Sequence, residues 1–393
     1  MPISNLKGHR HSFSTSSTLQ DSTTAESMVF SWPLLSPHGA SRVMTEFYDD
    51  IGEANDTNTW STQNPKQPAR REWTKSPSFV PFAEAIAYYT LAACGSGTSV
   101  SSSQIGATGI YLHTPTVLRT SLTKVIAFTA QEDEIGGTAN TLNQIVHNVM
   151  VESVTIAGTR GNPLTVTANL RGGGKVATAG GDAGTSAPAR SKVLRHNHCA
   201  LFYNPTAGYN STNATAGFEA SAPATGSSAL TASGLVDLSS YMAGFSITFD
   251  NPVDAGRSYN AGSSDSDGAA IIGSNGDYIE GGPQSITLEV TFDHEDTTEA
   301  LAILAAQTAG TQCGLELWAL HPVDQGSGAS AYTGFKFTLP AAAALASDQS
   351  DVSDDVGTKS ITHRFKAEYT TSGSLNSIAK ILTASKISQT LWG

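Results

Sequence analysis

Cysteine is nearly missing from this sequence. Only three occur among 393 residues, Cys94, Cys199 and Cys313, which is an odd and widely spaced set. Such a set predicts neither a disulfide framework nor the two ligand clusters of a structural zinc site. Cys94 and Cys313 lie next to predicted helix and strand segments, so we interpret them as small core residues.

Charge is also scarce, at 14% of the chain, and bases are outnumbered: 22 Lys and Arg against 34 Asp and Glu give a net charge of −12. A protein that grips phosphate needs a basic surface, so the composition as a whole disfavours that class. Few charges leave a surface of Ser, Thr, Asn, Gly and Ala, which suits broad, permanent subunit contacts. An ordinary secreted β-protein, with acidity that serves solubility alone, is the alternative that composition leaves open.

Long apolar segments are missing as well. No stretch reaches the ~18 apolar residues of a membrane span. The polar segment Met1–Ser22 lacks the apolar centre of a signal peptide. We therefore expect a chain with no membrane partner that is made and folded in a cytoplasm.

What the sequence does contain is period-two alternation of apolar and polar residues, which indicates strands with one buried and one polar face. In the first half this pattern predicts strands at 125–129, 150–156 and 164–170. In the second half it predicts strands at 245–249, 286–292, 315–317, 335–339 and 361–369. Residues 148–170 form the clearest hairpin, because the turn chemistry of Gly158–Pro163 separates two alternating segments.

Short helices interrupt the strands. Pro81 opens a predicted helix at 81–94, and a second is predicted at 295–308 with Gly310 ending it. The first helix has one apolar stripe, formed by Phe82, Ile86, Tyr89 and Ala93. Apolar spacing also predicts a short terminal helix within 377–391.

The order of strands around one helix occurs twice. The sequence therefore predicts a mainly β protein with short helices and two tandem, pseudo-repeated sandwich domains. The first domain is 1–175 with helix 81–94, and the second is 234–393 with helix 295–308. Residues 176–233, which are rich in Gly, Ala and Ser, are expected to be a linker or loop.

Residue clusters that could carry chemistry are weak. The best metal candidate is His196-Asn197-His198-Cys199, but no second ligand cluster lies at zinc spacing. No nucleophile elbow or phosphate-binding loop is present. We therefore expect no catalytic, cofactor-binding or metal site, and a chain that is not an enzyme.

The predicted hairpin carries a family resemblance. Val151-Glu152-Ser153-Val154-Thr155-Ile156, then Gly161-Asn162-Pro163-Leu164-Thr165-Val166-Thr167-Ala168-Asn169-Leu170, resembles the hairpin of bacteriophage major tail (tail tube) proteins, where a strand of the s-v-t-i-s-g kind leads to g-e-P-L-t-v-t-a. Segments 244–253, 285–308 and 334–342 are similar to later parts of that family. The resemblance covers about 120–172 and 240–372.

This resemblance implies a tail-tube β-sandwich that self-assembles into stacked rings around the conduit for DNA ejection. The implied partners are other copies of the chain, a tape measure protein and tail-end proteins, with viral DNA passing through the lumen unbound. Two fused tube domains would give a trimeric, pseudo-hexameric ring, and one would give a hexamer. The implied location is the virion tail, assembled in the host bacterial cytoplasm.

The competing hypothesis is a host-binding module, such as a tail-tip, fibre or decoration β-sandwich. Such a module would need aromatic side chains on exposed loops to bind glycans. The loop aromatics that the sequence offers are Trp60, Trp73, Tyr203 and Tyr209. Alternation predicts which faces are buried, but it does not identify the residues that would line a lumen.

Overall fold

The computed structural model describes nineteen segments of the chain, and the statements below concern these residues. They are 8–13, 30–33, 43–49, 67–94, 103–114, 128–135, 144–173, 177–178, 190–252, 259–264, 270–272, 282–293, 303, 305, 307–345, 348–349, 360–371, 375 and 377–388. The described part is mainly β, with a large, almost wholly antiparallel sheet and few helices. This confirms the predicted fold class at that level.

Twenty-two strands occur in the described segments. The strands of the first half are β1 (Gly8–Phe13), β2 (Phe30–Pro33), β3 (Val43–Asp49), β4 (Gln67–Lys75), β5 (Ser78–Phe79), β6 (Ser103–Gln104), β7 (Tyr111–His113), β8 (Phe128–Ile135), β9 (Gln144–Thr159), β10 (Thr165–Gly173) and β11 (Ala177–Thr178). The later strands are β12 (Cys199–Asn204), β13 (Val236–Asp237), β14 (Met242–Asp250), β15 (Tyr259–Ser264), β16 (Ala270–Ile272), β17 (Ser285–Phe292), β18 (Gln312–Leu320), β19 (Gly334–Ala344), β20 (Asp348–Gln349), β21 (Ile361–Ala367) and β22 (Lys380–Ser385).

Seven of the eight predicted strands are confirmed, as β9, β10, β14, β17, β18, β19 and β21. The eighth, predicted at 125–129, meets β8 only at its end, and 125–127 lie outside the described residues. The predicted hairpin is also confirmed, since β9 and β10 pair antiparallel.

The centre of the sheet has the strand order β10–β9–β14–β17–β21, with each strand antiparallel to its neighbours. Beyond β10 the sheet continues through β4 and β3. Beyond β21 it continues through β19, β18 and β12, and β22 and β7 branch from the start of β19. The pairing of β9 with β14 joins the two halves of the chain in one sheet.

Strand β9 is long enough to belong to two sheets. Its 16 residues span about 50 Å at the usual rise of about 3.3 Å per residue. Residues 144–149 pair with β8 and β11 in a second sheet that also holds β1 and β2. The remainder pairs with β10 and β14 in the central sheet.

The helix α1 (Ala83–Cys94) packs in the core against strands of the sheet. It contacts β9, β10, β14, β19 and β22, and all twelve of its residues are buried. The helix predicted at 81–94 is thus confirmed, beginning two residues later, but the expectation of a single apolar stripe is wrong. The sequence AEAIAYYTLAAC is apolar on every side, which is typical of a fully enclosed helix.

Glu84 is the one charged residue of α1, and its carboxylate is fully buried. Oε2 accepts hydrogen bonds from Ser191 N at 3.0 Å and Ser191 Oγ at 2.7 Å, and Oε1 accepts one from Lys386 N at 2.9 Å. Ser191 Oγ also accepts from Ala83 N at 3.1 Å, which satisfies a free donor of the first helical turn. Glu84 therefore holds two distant segments at the start of the helix.

The expected linker contains ordered structure in its described part, 190–233. β12 pairs with β18 along its whole length, and Leu201, Phe202 and Tyr203 are buried. The residues that follow contain only short 3₁₀ turns, at Ser211–Asn213 and Thr225–Ser227, and cover the outer side of β18 and β19. A strand forms here because the sequence CALFYN is apolar, unlike its Gly- and Ser-rich surroundings.

The terminal helix predicted within 377–391 is wrong for the described residues, because 380–385 form strand β22. Ile381 and Leu382 are both fully buried, on opposite faces of a strand held between β19 and β7. A short apolar run can be a helix or a doubly covered strand, and its periodicity alone does not separate them.

The helix predicted at 295–308 is described only near its end, where 303, 305 and 307–309 are helical. Gly310 has φ +65° and its N–H donates to Gln307 O at 3.2 Å, which is the expected glycine-terminated end. In the described part of the chain, no helix has both the length and the apolarity to span a membrane.

Candidate interaction face

One surface of the central sheet consists mostly of short polar side chains with a few charged ones, and we call it the polar face. Its opposite surface packs on α1 and the core. The outward residues are Thr165, Thr167, Asn169 and Arg171 of β10; Glu152, Ser153, Thr155, Ala157 and Thr159 of β9; Gly244, Ser246, Thr248 and Asp250 of β14; Ser285, Thr287, Glu289 and Thr291 of β17; and Thr362, Arg364 and Lys366 of β21.

Strand register aligns these residues in rows across the sheet. One row runs from Ser78 through Thr167, Thr155, Thr248 and Thr287 to Lys366. Hydroxyl oxygens within or near the rows lie at hydrogen-bond distance, such as Thr155 and Thr248 at 3.2 Å. Ser78 and Thr167 are 2.9 Å apart, as are Thr291 and Thr362. Cross-strand Thr pairs stabilise a sheet. Because these positions hold Thr and Ser, the rows contain no long apolar side chains.

Each arginine of the polar face is bound by a carboxylate from another strand. Arg364 Nε lies 2.6 Å from Glu289 Oε1, its direct partner in the register of β17 and β21. Arg171 pairs with Glu152 through Nε, and its Nη1 lies 3.3 Å from Glu72 Oε2.

The edge of the face next to the β9–β10 turn has a third pair. Arg160 pairs with Asp293 and also donates to Met242 O at 3.2 Å. Arg160 and Asp293 come from the two halves of the chain, so this pair links the halves as the β9–β14 pairing does.

A β-bulge places Glu152 on this face. Ser153 is opposite Asn169, and Val151 is opposite Leu170, so Glu152 is the extra residue of β9. Because of the bulge, Glu152 and Ser153 both point outward while Val151 and Val154 are buried. Re-aiming of a side chain is a usual consequence of a bulge, and here it brings the carboxylate within reach of Arg171.

A buried ion pair organises a second region, beneath residues 205–233. Lys336 on β19 and Glu316 on β18 both have fully buried side chains, with Lys336 Nζ 4.0 Å from Glu316 Oε2. The ammonium donates to the backbone carbonyls of Asn213 at 3.0 Å, Ala216 at 3.3 Å and Ser227 at 2.8 Å. Burial lowers the pKa of Lys336 to about 8, while Glu316 raises it. Lys336 is therefore still charged at neutral pH.

The Glu316 carboxylate is equally well satisfied. Its Oε2 accepts from Ala229 N at 2.9 Å and Thr338 Oγ1 at 2.6 Å, and Oε1 accepts from Trp318 Nε1. The ring of Trp318 lies 4.3 Å from Lys336 Nζ, within cation–π range. Ala229 and the three carbonyls belong to the same loop, so this network fastens the loop to the β18–β19 hairpin. Its groups are enclosed, and it serves folding.

The residues considered for metal binding point apart. His196 stacks on Phe245 with ring centroids 6.2 Å apart, while His198 lies beside His321 at 4.8 Å. The Cys199 thiol donates to Arg195 O at 3.6 Å, and burial raises its pKa. Within the segments that the structure describes, no group of three or more His, Cys, Asp or Glu side chains is placed to hold a metal.

The hydrogen bonds of the histidine pair also disfavour ligation. His198 Nδ1 accepts from Arg195 N at 3.3 Å, and His321 Nδ1 accepts from Val323 N at 3.1 Å. A neutral imidazole that accepts at Nδ1 carries its proton on Nε2, so neither Nε2 offers a lone pair. Burial, with His321 and Arg195 nearby, lowers the pKa of His198 to about 4.

The loop aromatics needed by a glycan-binding module are mostly enclosed. Trp73, Tyr203 and Tyr209 are 2%, 1% and 9% exposed. Trp60 lies outside the described residues. The three described side chains therefore cannot form an exposed aromatic cluster in this conformation.

Comparison with known proteins gives no family. No protein-family model matches the chain, and no curated protein matches it either.

Sequence reasoning found the strands of the polar face but neither its ion pairs nor the Lys336 network. Alternation identifies outward positions, whereas the pairing of Arg364 with Glu289 depends on the register of strands far apart in sequence. Lys336 occupies a polar position of the alternating segment 335–339, where the pattern predicts an exposed side chain. The sequence therefore offers no signal that Lys336 is buried.

Proposed function

We propose that this chain is the structural subunit of a phage tail tube, which self-assembles into stacked rings forming the conduit for DNA ejection. The observation that carries the proposal is the central sheet, with one surface packed on a buried helix and the other presenting rows of Thr and Ser. Such a sheet suits the wall of a hollow cylinder. The hairpin β9–β10, whose sequence resembles that of tail tube proteins, lies in this wall.

In this proposal the polar face lines the lumen. Double-stranded DNA carries a phosphate charge every ~1.7 Å of its axis, so a wall that DNA must pass should offer few free cations. The arginines of the polar face are all paired with carboxylates among the described residues, and the whole chain is acidic. Short hydroxyl side chains also leave the wall smooth.

Assembly requires subunits to join sideways and to stack. Exposed strand edges favour pairing with another chain, and closing a ring removes them. The second sheet, built on the first part of β9, extends the edges available for contact. We place the assembled protein in the virion tail, formed in the host bacterial cytoplasm, with a tape measure protein and tail-end proteins as further partners.

The number of chains in a ring depends on how many tube domains one chain contains. Strands of both halves share one sheet, which favours one tube domain per chain and therefore a hexameric ring. Two tandem tube domains would instead give a trimeric, pseudo-hexameric ring.

Negative-stain electron microscopy of the purified, concentrated protein tests the proposal. We expect rings or hollow tubes, and averaged end views would distinguish six chains from three. A protein that stays monomeric at high concentration would contradict the proposal.

A further inference from the structure

We propose that the carboxylates paired with Arg160, Arg171 and Arg364 are charge masks that keep these guanidinium groups from binding passing DNA. This inference rests on the proposed function and concerns the same polar face. It assigns a role to Glu152, Glu289 and Asp293 beyond the stability of the sheet.

The energetics of the pairs of Arg364 and Arg160 support a role other than folding. Arg364 and Glu289 are 49% and 40% exposed, and Arg160 and Asp293 are 52% and 25% exposed. Exposed pairs of this kind contribute only about 0–1 kcal/mol to stability. Yet the guanidinium groups are spread over the face, one by the β9–β10 turn, one on β21 and one at the far end of β10, and each has its own carboxylate.

The placement of Glu152 supports the same role. Regular alternation would turn either Glu152 or Ser153 inward, and only the bulge lets both face outward. Arg171 is thereby held from two sides, by Glu152 on β9 and Glu72 on β4.

The local balance of charge is nearly neutral. Among the described residues of the face and its margins, Glu72, Glu152, Asp250, Glu289 and Asp293 oppose Arg160, Arg171, Arg364 and Lys366, leaving one negative charge in excess. Removing three carboxylates would leave two positive charges in excess. Guanidinium groups bind phosphate in a two-pronged geometry. The freed Arg160 and Arg364, with Arg171 now held by Glu72 alone, would therefore form a phosphate-binding surface.

The test compares two triple variants of the full-length, unassembled protein. E152Q/E289Q/D293N removes the masks, and E219Q/D237N/D324N makes the same change in net charge at residues outside the polar face. Binding of a fluorescently labelled DNA duplex is measured by anisotropy across a salt series. Adding R160Q, R171Q and R364Q to the first variant supplies the reversal control.

We expect the wild type and the control variant to bind the DNA duplex with similar, weak affinities. The mask-free variant should bind at least about tenfold more tightly at low salt. Its salt dependence should be steeper by about two units of log K per log salt, since each of the two fully freed arginines adds about 0.9. The reversal control should return to wild-type affinity.

Equal affinity of the two triple variants, or tight binding by the wild type, would overturn the inference. If the triple variant does not fold, E289Q is compared with D324N by the same criterion. Assembly is scored separately by microscopy. Tubes without mask-dependent binding would therefore refute only this inference. Mask-dependent binding without tubes would refute the proposed function, although the carboxylates would still be shown to shield the arginines from DNA.

Discussion

Lys336 shows how much one buried charge can organise. Its ammonium is shared by three carbonyls of one loop, beside Glu316 and the ring of Trp318. A lysine is almost never fully buried unless it is paired, so this residue exists in the interior only because the loop folds over it. In turn, the loop has few apolar residues and depends on that charge.

Replacing Lys336 by methionine should therefore be costly. K336M keeps much of the side-chain volume but leaves the Glu316 carboxylate buried without its cation, and breaking a buried pair in this way typically costs about 3–5 kcal/mol. Urea unfolding measures the loss, and limited proteolysis should locate it in residues 205–233. The matched control is K366M on the polar face, which should change the free energy of unfolding by less than about 0.5 kcal/mol. Equal effects of the two substitutions would contradict this account.

Buried histidines should make the protein sensitive to acid. Burial lowers the pKa of His113, His198 and His363 to about 4 from the ordinary value of 6.5. Between these values the unfolded chain binds more protons than the folded one, so the free energy of unfolding falls as pH falls. The stability is fully present above about pH 6.5 and is lost progressively toward about pH 4.

Urea midpoints measured between about pH 7.5 and about pH 4.5 check this dependence. His363 lies between Phe292 and Phe365. Replacing it by leucine should keep the packing, remove one titrating group and flatten the curve. A midpoint that is constant across the window would show that these imidazoles are not held neutral by the fold.

At the scale of elements, the start of α1 is where three parts of the chain meet. Glu84 receives hydrogen bonds from Ser191, in the segment before β12, and from Lys386, at the end of β22. Glutamine has only one acceptor oxygen, so E84Q must turn an amide N–H₂ toward a backbone donor. We expect a loss of about 1–3 kcal/mol, the usual cost of an unsatisfied buried group.

Hydrogen exchange should report the same substitution locally. In E84Q, the amides of Ser191 and Lys386 should exchange faster. The protection of amides in β14 and β17 should change only by as much as the global free energy of unfolding changes. E289Q, which removes an exposed carboxylate, is the control and should leave both amides unchanged. Unaltered protection in E84Q would mean that Glu84 does not hold these segments.

Strands with one buried and one polar face could be predicted from the sequence. So could β18 and β19, which are buried on both faces but contain alternating apolar and polar residues. β10 alternates without interruption, and β9 alternates from Ser153 to Thr159. The Gly- and Pro-containing turn between them marks the hairpin that the structure shows. β22 was mistaken for a helix because Ile381 and Leu382 are adjacent apolar residues, buried on opposite faces. β12 was hidden in a small-residue segment, since its apolar core spans only about six residues.

The polar interactions could not be predicted from the sequence. Lys336 meets Asn213 across 123 positions of sequence, and Arg364 meets Glu289 across 75. Their partners follow from sheet order and strand register, which alternation does not encode. The bulge at Glu152 likewise arises from the register of β9 against β10, and the sequence of either strand alone does not indicate it.

At the scale of the whole molecule, strands of the central sheet pack around one helix, and the opposite side of that sheet is a regular polar surface. Core residues of both halves belong to a common cluster, from Phe79 and Ile86 to Phe365 and Ile381. The two halves are thus joined by backbone pairing and by packing. A unit of this kind can present its polar face to a lumen while its sheet edges contact neighbouring copies.

Electron cryomicroscopy of the assembled protein tests the central claim most directly. We predict a hollow tube whose inner wall is formed by β10, β9, β14, β17 and β21, with Thr155, Thr248 and Thr287 facing the lumen. An assembly with this face on its outside or buried between subunits, or particles that never exceed a single chain, would contradict the account.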